Sequence, residues 1–221
     1  MQDQPLKIML AEAGWATVPG ITSESELIEL ARSLGSILPN SRGESVSVLN
    51  PIPEELGREG TLTSNWGKGA FPLHTDTAFW PAPARFIVFR ATGDLRRRTR
   101  LLAFANIFER IDAKQQQHLD TSVWRIDAPK PSHYCSMRFK AGSYLGVRYD
   151  PSCMRPANQA AVSTQISMAS ILEECRQQEH FFEWHHDTAL VVDNWTTLHG
   201  RDVAPREELN RTLERIYVGG L

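Results

Sequence analysis

The distribution of β-prone runs along the chain is the sequence feature that most restricts its possible folds. The most compact run, at 85–91, is rich in β-branched and aromatic residues, which suits a strand buried on both faces. Other β-prone runs lie at 15–18, 99–104, 143–150, 188–195 and 211–218. Predicted helices lie before and between these runs, without the regular strand–helix alternation of a doubly wound sheet. The pattern therefore predicts a mainly β fold with flanking helices, either a sandwich or a jelly roll.

Three segments have the signals of α-helices. The clearest is 20–35, where Ser23 and Glu26 have the spacing of a capping box, a leucine-rich stripe follows and Gly35 ends the pattern. The other two predicted helices are 106–118 and 157–178. No internal repeat, low-complexity tract or linker interrupts the 221 residues, so we expect residues 1–221 to form a single domain.

The composition limits the classes of partner. A net charge of −2 argues against a general nucleic-acid binder, and the basic run RRRTR (96–100) is typical of a solvated loop. No apolar stretch approaches the roughly 20 residues that cross a bilayer, and the first residues lack the apolar core of a secretory signal. The three cysteines are scattered, without a CxxC pair, as in proteins of a reducing compartment. We therefore expect a cytoplasmic protein without a nucleic-acid or membrane partner.

A histidine and an aspartate lie two residues apart in the stretch FPLHTDTAFW (71–80). Side chains at i and i+2 of an extended chain point to the same face, so His74 and Asp76 would project together. Most His-X-Asp pairs are hydrogen-bonded at a protein surface, and the pair alone does not indicate a metal site.

A third ligand for the same site is available far along the chain. In VVDNWTTLHGR (191–201) a hydrophobic strand leads into a polar turn that carries His199. A jelly roll places distant strands side by side, so the separation in sequence is no obstacle. Two imidazoles and one carboxylate form the facial triad of non-haem iron(II) oxygenases, which leaves open positions on the metal. His74, Asp76 and His199 are therefore candidate ligands, and the other histidines are predicted to be solvated or packed in the core.

The closing segment RTLERIYV adds a candidate anion site. Arg211, Leu213 and Arg215 alternate on one face of a strand there. Two arginines that face a strand-rich interior are costly unless they pair with anions, although a solvated edge strand would remove that cost. With His199 nearby in sequence, a guanidinium that grips a carboxylate through two hydrogen bonds is the favoured interpretation.

In this order, the motifs resemble the taurine dioxygenase and clavaminate synthase-like family of iron(II)- and 2-oxoglutarate-dependent oxygenases. The matching motifs are FPLHTD, DNWTTLHGR and RTLER, with GWATVPGI and PARFIVFRA similar to the family's opening strand and to its strand after the ligand pair. The resemblance implies a double-stranded β-helix, a distorted, cupin-like jelly roll. It also implies that His74, Asp76 and His199 hold the iron.

The resemblance extends to the co-substrate. It implies that Arg211 receives the distal carboxylate of 2-oxoglutarate with help from Thr99, although arginines precede this threonine where relatives have glycines. Arg215 falls where some relatives bind a substrate anion or a co-substrate oxygen, and a role in the packed sheet is equally consistent with its position. The implied reaction uses O2, releases succinate and CO2, and hydroxylates a small molecule such as an amino-acid derivative or a natural-product intermediate.

Four further residues are candidates for the substrate pocket. Trp66, Phe79 and Trp80 flank the ligand pair and could form its walls, and Arg148 could bind an anionic group. For each aromatic residue, packing in the core is the simpler alternative. For the arginine, the alternative is a salt bridge at the surface.

Two other functions would use some of the same residues. Zinc held by the same three residues and a water would suit hydrolysis, but a hydrolase has no need for Arg211. A jelly-roll binding module would use His74 and His199 only for packing, and it would not bind a divalent metal tightly. The oligomeric state does not follow from the sequence.

Overall fold

The computed structural model describes residues 3–40, 42–57, 61–127, 131–203 and 211–220. Its helices are α1 (Asp3–Ala13), α2 (Glu24–Leu34), α3 (Leu62–Trp66), α4 (Phe104–Phe108), α5 (Ala113–Thr121) and α6 (Gln159–Glu174). Its first strands are β1 (Trp15–Pro19), β2 (Ile37–Leu38), β3 (Ser47–Leu49), β4 (Phe86–Thr92), β5 (Thr99–Ala103), β6 (Val123–Ile126) and β7 (His133–Ser136). The remaining strands are β8 (Arg138–Ala141), β9 (Tyr144–Val147), β10 (Met154–Pro156), β11 (His180–Phe182), β12 (Thr188–Asp193), β13 (Thr197–Arg201) and β14 (Thr212–Val218).

The larger sheet has the strand order β1-β12-β4-β14-β2. Strand β3 pairs with residues 213–215 of β14, and β2 pairs with residues 217–218. All of these pairings are antiparallel. Strand β4 lies between β12 and β14, and its five central residues are buried. This position confirms the prediction of a strand covered on both faces.

A smaller sheet, with the order β11-β5-β13, packs face to face against the larger one. Their shared core contains Ile87 and Phe89 of β4, Leu190 of β12 and Leu101 of β5. The alternate residue Val88 points the other way, toward the helices α1 and α2. Because side chains alternate along a strand, one apolar run supplies both layers of the core. The result is the mainly β jelly roll with flanking helices that the sequence predicts.

The chain between β5 and β11 leaves the smaller sheet and returns to it, since these two strands are neighbours. This excursion contains α4 to α6, the sheet β10-β6-β7 and the hairpin β8-β9. Its apolar side chains pack on the outer face of the smaller sheet, where Leu102 and Leu198 meet Phe104 and Met168.

Most of the predicted elements are present in the structure, with two corrections. Helix α2 begins at the predicted capping box, in which Ser23 and Glu26 bond each other's backbone N–H. The single helix predicted at 106–118 is wrong, because two helices, α4 and α5, occupy this region, and α5 starts at a capping box of Asp112 and Gln115. The second correction concerns the basic run at 96–100.

That run is not uniformly solvated. Arg97 is only 1% exposed, and its Nη2 donates to the carbonyl of Lys68 at 3.0 Å. Arg96 is exposed and pairs with Asp94, as a solvated loop would allow.

No helix in the described part of the chain is long and apolar enough to cross a bilayer. The assignment of residues 1–221 to a single domain stays a prediction.

Candidate metal centre

The two predicted histidine ligands face each other across an antiparallel bridge between the segment before β4 and strand β13. His74 N–H donates to the carbonyl of His199 and His199 N–H to that of His74, both at 2.9 Å. The ring centroids lie 4.4 Å apart. His199 was expected on a polar turn, but it lies inside the buried strand β13, because pairing with both β5 and His74 covers that strand.

Asp76 completes the cluster. Its Oδ1 lies 3.4 Å from His74 Nε2 and 3.8 Å from His199 Nε2. The three ligand atoms lie within 4.8 Å of one another, and all three residues are buried. The structure therefore brings together the three residues that the sequence singles out.

The donor set fits a divalent transition metal. Nitrogen and oxygen ligands about 2.1 Å from one ion are about 3 Å apart when they occupy neighbouring positions. The two separations between Asp76 Oδ1 and the imidazole nitrogens exceed that value by less than about 1 Å. His74 Nδ1 lies 2.9 Å from the carbonyl of Pro72, so Nε2 is the ring nitrogen that faces Asp76. Among the described residues, His199 Nδ1 has no hydrogen-bond partner.

The outer oxygen of Asp76 is held by the larger sheet. Arg215 Nη1 donates to Oδ2 at 2.9 Å, and the hydroxyl of Tyr217 lies 3.3 Å from the same atom. Burial alone would raise the pKa of Asp76, but the charge of Arg215 and the hydrogen bond to His74 hold it well below its usual value. Asp76 is therefore an ionised carboxylate that presents one oxygen, Oδ1, to the two imidazoles.

The two imidazoles have different electrostatic environments. Burial, reinforced by the nearby charge of His74, lowers the pKa of His199 to about 3. Burial also acts against the charged form of His74, but the hydrogen bond and charge of Asp76 outweigh it and raise the pKa of His74. His199 is thus neutral at physiological pH, the state in which an imidazole can bind a metal.

The backbone of Asp76 is clamped by Asn194, a residue that the sequence reasoning missed. The Asn194 Oδ1 accepts the Asp76 N–H at 2.8 Å, and its Nδ2 donates to the carbonyls of Asp76 at 3.0 Å and Ala84 at 2.9 Å. Asn194 is fully buried, at the end of β12. The available sequence signal was an asparagine at the end of a hydrophobic strand, since an amide that is buried there requires hydrogen-bond partners.

Thr77 holds the same turn from the other side. Its φ of 54° is in the left-handed region, which is rare for a β-branched residue. The hydroxyl of Thr77 donates to the carbonyl of Asp76 at 2.7 Å and accepts the Ala84 N–H at 2.8 Å. The strained turn and the Asn194 clamp together fix the direction in which Asp76 leaves the backbone.

Arg211 and Thr99, the predicted co-substrate residues, meet at Trp184. Arg211 is 5% exposed and directly precedes β14, on the same face as Arg215. Its guanidinium carbon lies 5.9 Å from the Trp184 ring centroid, and Trp184 Nε1 donates to Thr99 Oγ1 at 3.1 Å. Trp184 links the two predicted residues, and no sequence pattern indicated it.

The four predicted pocket residues have different environments. Trp80 packs edge-on against Tyr217 at 5.6 Å, and Phe79 packs against Trp80 at 6.3 Å. Both are half-buried directly after the ligand pair, which is consistent with pocket walls. Trp66 is half-buried at the end of α3, and its role stays a prediction.

Arg148 is buried rather than on the surface. Its Nη1 donates to the carbonyls of Ala78 and Trp80, at 3.0 and 2.7 Å, and its Nη2 donates to that of Pro81 at 2.9 Å. Both terminal nitrogens are thus engaged in holding the loop that follows Asp76. Its Nε has no hydrogen-bond partner among the residues that the structure describes.

Comparisons with known proteins agree with the architecture. Neither the protein-family models nor the curated proteins include a match to this chain. The solved structure of asparagine oxygenase with Fe(II), 3-hydroxyasparagine and succinate is similar, with a TM-score of 0.74 and 17% identity over 97% of this chain and 78% of its own. PvcB from Pseudomonas aeruginosa has a TM-score of 0.71 and 18% identity over 99% of this chain and 80% of its own.

A third similar structure is the non-haem iron oxygenase OrfP in complex with Fe and alpha-ketoglutaric acid. Its TM-score is 0.69, with 18% identity over 99% of this chain and 78% of its own. At these identities the likeness concerns the fold. The chain therefore has the jelly-roll fold of these non-haem iron oxygenases.

Proposed function

We propose that this protein is an Fe(II)- and 2-oxoglutarate-dependent dioxygenase of the taurine dioxygenase and clavaminate synthase-like family, and that it hydroxylates a small molecule. The observation that carries the proposal is the convergence of His74, Asp76 and His199 inside a jelly roll. Iron(II), when bound there, would couple the reduction of O2 to the oxidative decarboxylation of 2-oxoglutarate. One oxygen atom enters succinate as CO2 is lost, and the other enters the substrate as a hydroxyl group.

The ligand set favours an open iron site. Arg215 and Tyr217 engage the outer oxygen of Asp76, so the carboxylate offers the metal a single oxygen. Three protein ligands on one face of an octahedral ion leave three positions for co-substrate and O2. The pairing with Arg215 also keeps Asp76 ionised, as metal binding requires.

The co-substrate is assigned to the space between the two sheets near Trp184. Arg211 would hold the distal carboxylate of 2-oxoglutarate through its guanidinium, and Thr99 would add a hydroxyl. A zinc hydrolase would not require a buried arginine on this face of the sheet, so Arg211 favours the oxygenase.

An amino acid or amino-acid derivative is the proposed substrate class. The similar structures include complexes with 3-hydroxyasparagine and with 3-hydroxyarginine, which are hydroxylated amino acids. The half-buried side chains of Phe79 and Trp80 would close one side of the site and limit access of water.

The three cysteines are free, which supports a cytoplasmic location.

Anaerobic reconstitution tests the proposal. Purified protein is titrated with Fe(II), then with 2-oxoglutarate, and the visible charge-transfer absorption is recorded. We expect one equivalent of iron and a new absorption band in the wild type, and neither in His199→Ala. The variant Lys114→Ala, at an exposed position on α5, is the control and should behave as the wild type.

Exposure to air should then yield succinate, and an amino-acid panel should increase its rate of formation. Iron binding without any response to 2-oxoglutarate would contradict the oxygenase and favour a hydrolase. Absence of stoichiometric metal binding would favour a binding module without catalysis.

A further inference from the structure

A groove of about 880 Å³ lies beside the loop that follows Asp76. One side of the groove is the edge strand β7, and the other side is the hairpin β8-β9. Both belong to the excursion between β5 and β11, and Pro81 adds the loop itself to the lining. None of the three candidate metal ligands lines the groove.

The charged lining of the groove is of one sign. Its charged side chains, Arg138, Lys140 and Arg148, are all basic, and none of the lining residues that the structure describes is an aspartate or glutamate. Arg138 is paired with Asp120, which lies outside the lining, at 2.9 Å. Lys140 is exposed and has no ion-pair partner among the residues that the structure describes. The groove therefore attracts anions.

Two buried nitrogen atoms in the described part of the lining have no hydrogen-bond partner. Within the described parts of the chain, neither Arg148 Nε nor His133 Nε2 has a hydrogen-bond partner, although both atoms are buried. Arg148 as a whole is 3% exposed, and its other guanidinium nitrogens hold the loop after Asp76. Buried polar groups are normally satisfied, so Arg148 Nε, which can only donate, indicates a ligand that offers an acceptor oxygen.

The remaining walls are flat and apolar. Tyr134 is 68% exposed, and Phe139, Pro81 and Pro131 complete this surface. An exposed aromatic ring in the same lining as Lys140 suits a ligand with a planar body and an acidic group. We propose that the groove binds an organic oxyanion, a carboxylate or a phosphate carried on a planar apolar body.

The groove is connected to the metal centre through a short series of contacts. Arg148 donates to the carbonyl of Trp80, the Trp80 ring packs on Tyr217, and the Tyr217 hydroxyl contacts Asp76. The oxyanion is therefore either the distal part of the enzyme's own substrate or a separate ligand that contacts the same loop. Binding in the groove does not depend on the proposed oxygenase function.

Metal-free protein provides the test of binding. Phenyl phosphate, benzoate and inorganic phosphate are titrated, and binding is measured by calorimetry and by protein NMR shifts. Lys140→Ala should weaken phenyl phosphate binding about tenfold, because one charge-assisted hydrogen bond is lost. Tyr134→Ala should weaken phenyl phosphate but leave inorganic phosphate unchanged. Both side chains are exposed, so both variants should keep the wild-type melting temperature.

The control is Lys114→Ala, which removes an exposed lysine outside the groove. Equal weakening by this variant would show non-specific charge attraction and overturn the assignment. Absence of saturable binding by all three probes would overturn it as well.

Steady-state kinetics distinguish the two sources of the oxyanion. For any compound that stimulates succinate formation, a higher KM at unchanged kcat in Lys140→Ala would identify the groove ligand as part of the substrate. An unchanged KM, together with weakened phenyl phosphate binding, would identify a separate ligand. Phenyl phosphate binding without succinate formation under any condition would contradict the oxygenase proposal and leave the groove assignment intact.

Discussion

Replacement of Asn194 by alanine should destabilise the protein and disorganise the metal centre together. The Asp76 N–H and the Ala84 carbonyl have no other hydrogen-bond partner than Asn194 in the described part of the structure. Asn194→Ala would leave both groups buried and unsatisfied, at about 1–3 kcal/mol each. The Asp76 carbonyl keeps its bond from Thr77 and adds little to the loss.

We therefore expect the free energy of unfolding to fall by about 3 kcal/mol, since water that enters the vacated space would restore part of the loss. For a chain of this size, that corresponds to a decrease in melting temperature of about 6–12 °C. The same change frees the Asp76 backbone, so Asp76 Oδ1 would no longer be fixed near the imidazoles. Iron affinity should fall by at least about tenfold, because outer contacts of metal ligands typically contribute that much.

Denaturant unfolding and anaerobic iron titration provide the assays, with Asn65→Ala as the matched control. Asn65 is exposed on α3, so its loss should change neither quantity. If Asn194→Ala has the unfolding midpoint and iron affinity of the Asn65 variant, the clamp does not hold Asp76. If stability falls and iron affinity is unchanged, the clamp supports the fold but does not position the ligand.

Three further predictions concern the co-substrate site and one buried carboxyl group. Arg211→Lys keeps the charge but loses the guanidinium fork, so 2-oxoglutarate affinity should fall about 10–100-fold while iron affinity is retained; equal losses of both would contradict this assignment. Trp184→Phe removes the bond to Thr99 and keeps an aromatic ring, so 2-oxoglutarate should bind about 2–10-fold more weakly in the same titration. Unchanged affinity would show that this bond does not position Thr99 for the co-substrate. Burial, only partly offset by the charge of Arg85, raises the pKa of Asp193 from 3.8 to about 6. The folded state then binds more protons than the unfolded state, so this carboxyl reduces stability as the pH rises from about 4 to about 6. Asp193→Asn should gain up to about 3 kcal/mol relative to the wild type over that interval in denaturant unfolding, and a pH-independent difference would refute this explanation.

Elements that depend on neighbouring residues were predictable from the sequence. The capping box of Ser23 and Glu26 marks the start of α2, and the apolar run at 85–91 marks the central strand β4. The split between α4 and α5 was also encoded locally, in Asp112 and Gln115 at capping-box spacing, although the prediction overlooked it. These signals work because caps and periodicity involve residues only a few positions apart.

The candidate ligands were predictable by chemistry, but the positions of their supporting residues were not. Nothing around Asn194 or Trp184 shows that one would hold the Asp76 backbone and the other would lie between Arg211 and Thr99. The sequence left Arg148 open between an anion-binding residue and a surface salt bridge, and the structure places it buried against three carbonyls. Most of these contacts join segments that are far apart in the sequence: Asn194 and Asp76 are 118 residues apart, and Trp184 and Thr99 are 85 residues apart.

The amino acids alone indicated six of the strands, the shared face of Arg211 and Arg215, and the three residues that a metal would need. The tertiary structure decided the register that places His74 opposite His199. It thereby also decided the distances, the burial and the charges of the three candidate ligands. The physical reason is that a strand's alternation is a local property, whereas its partner and its register result from packing of the whole core. A shift by one residue would turn every side chain of β13, including His199, to the opposite face.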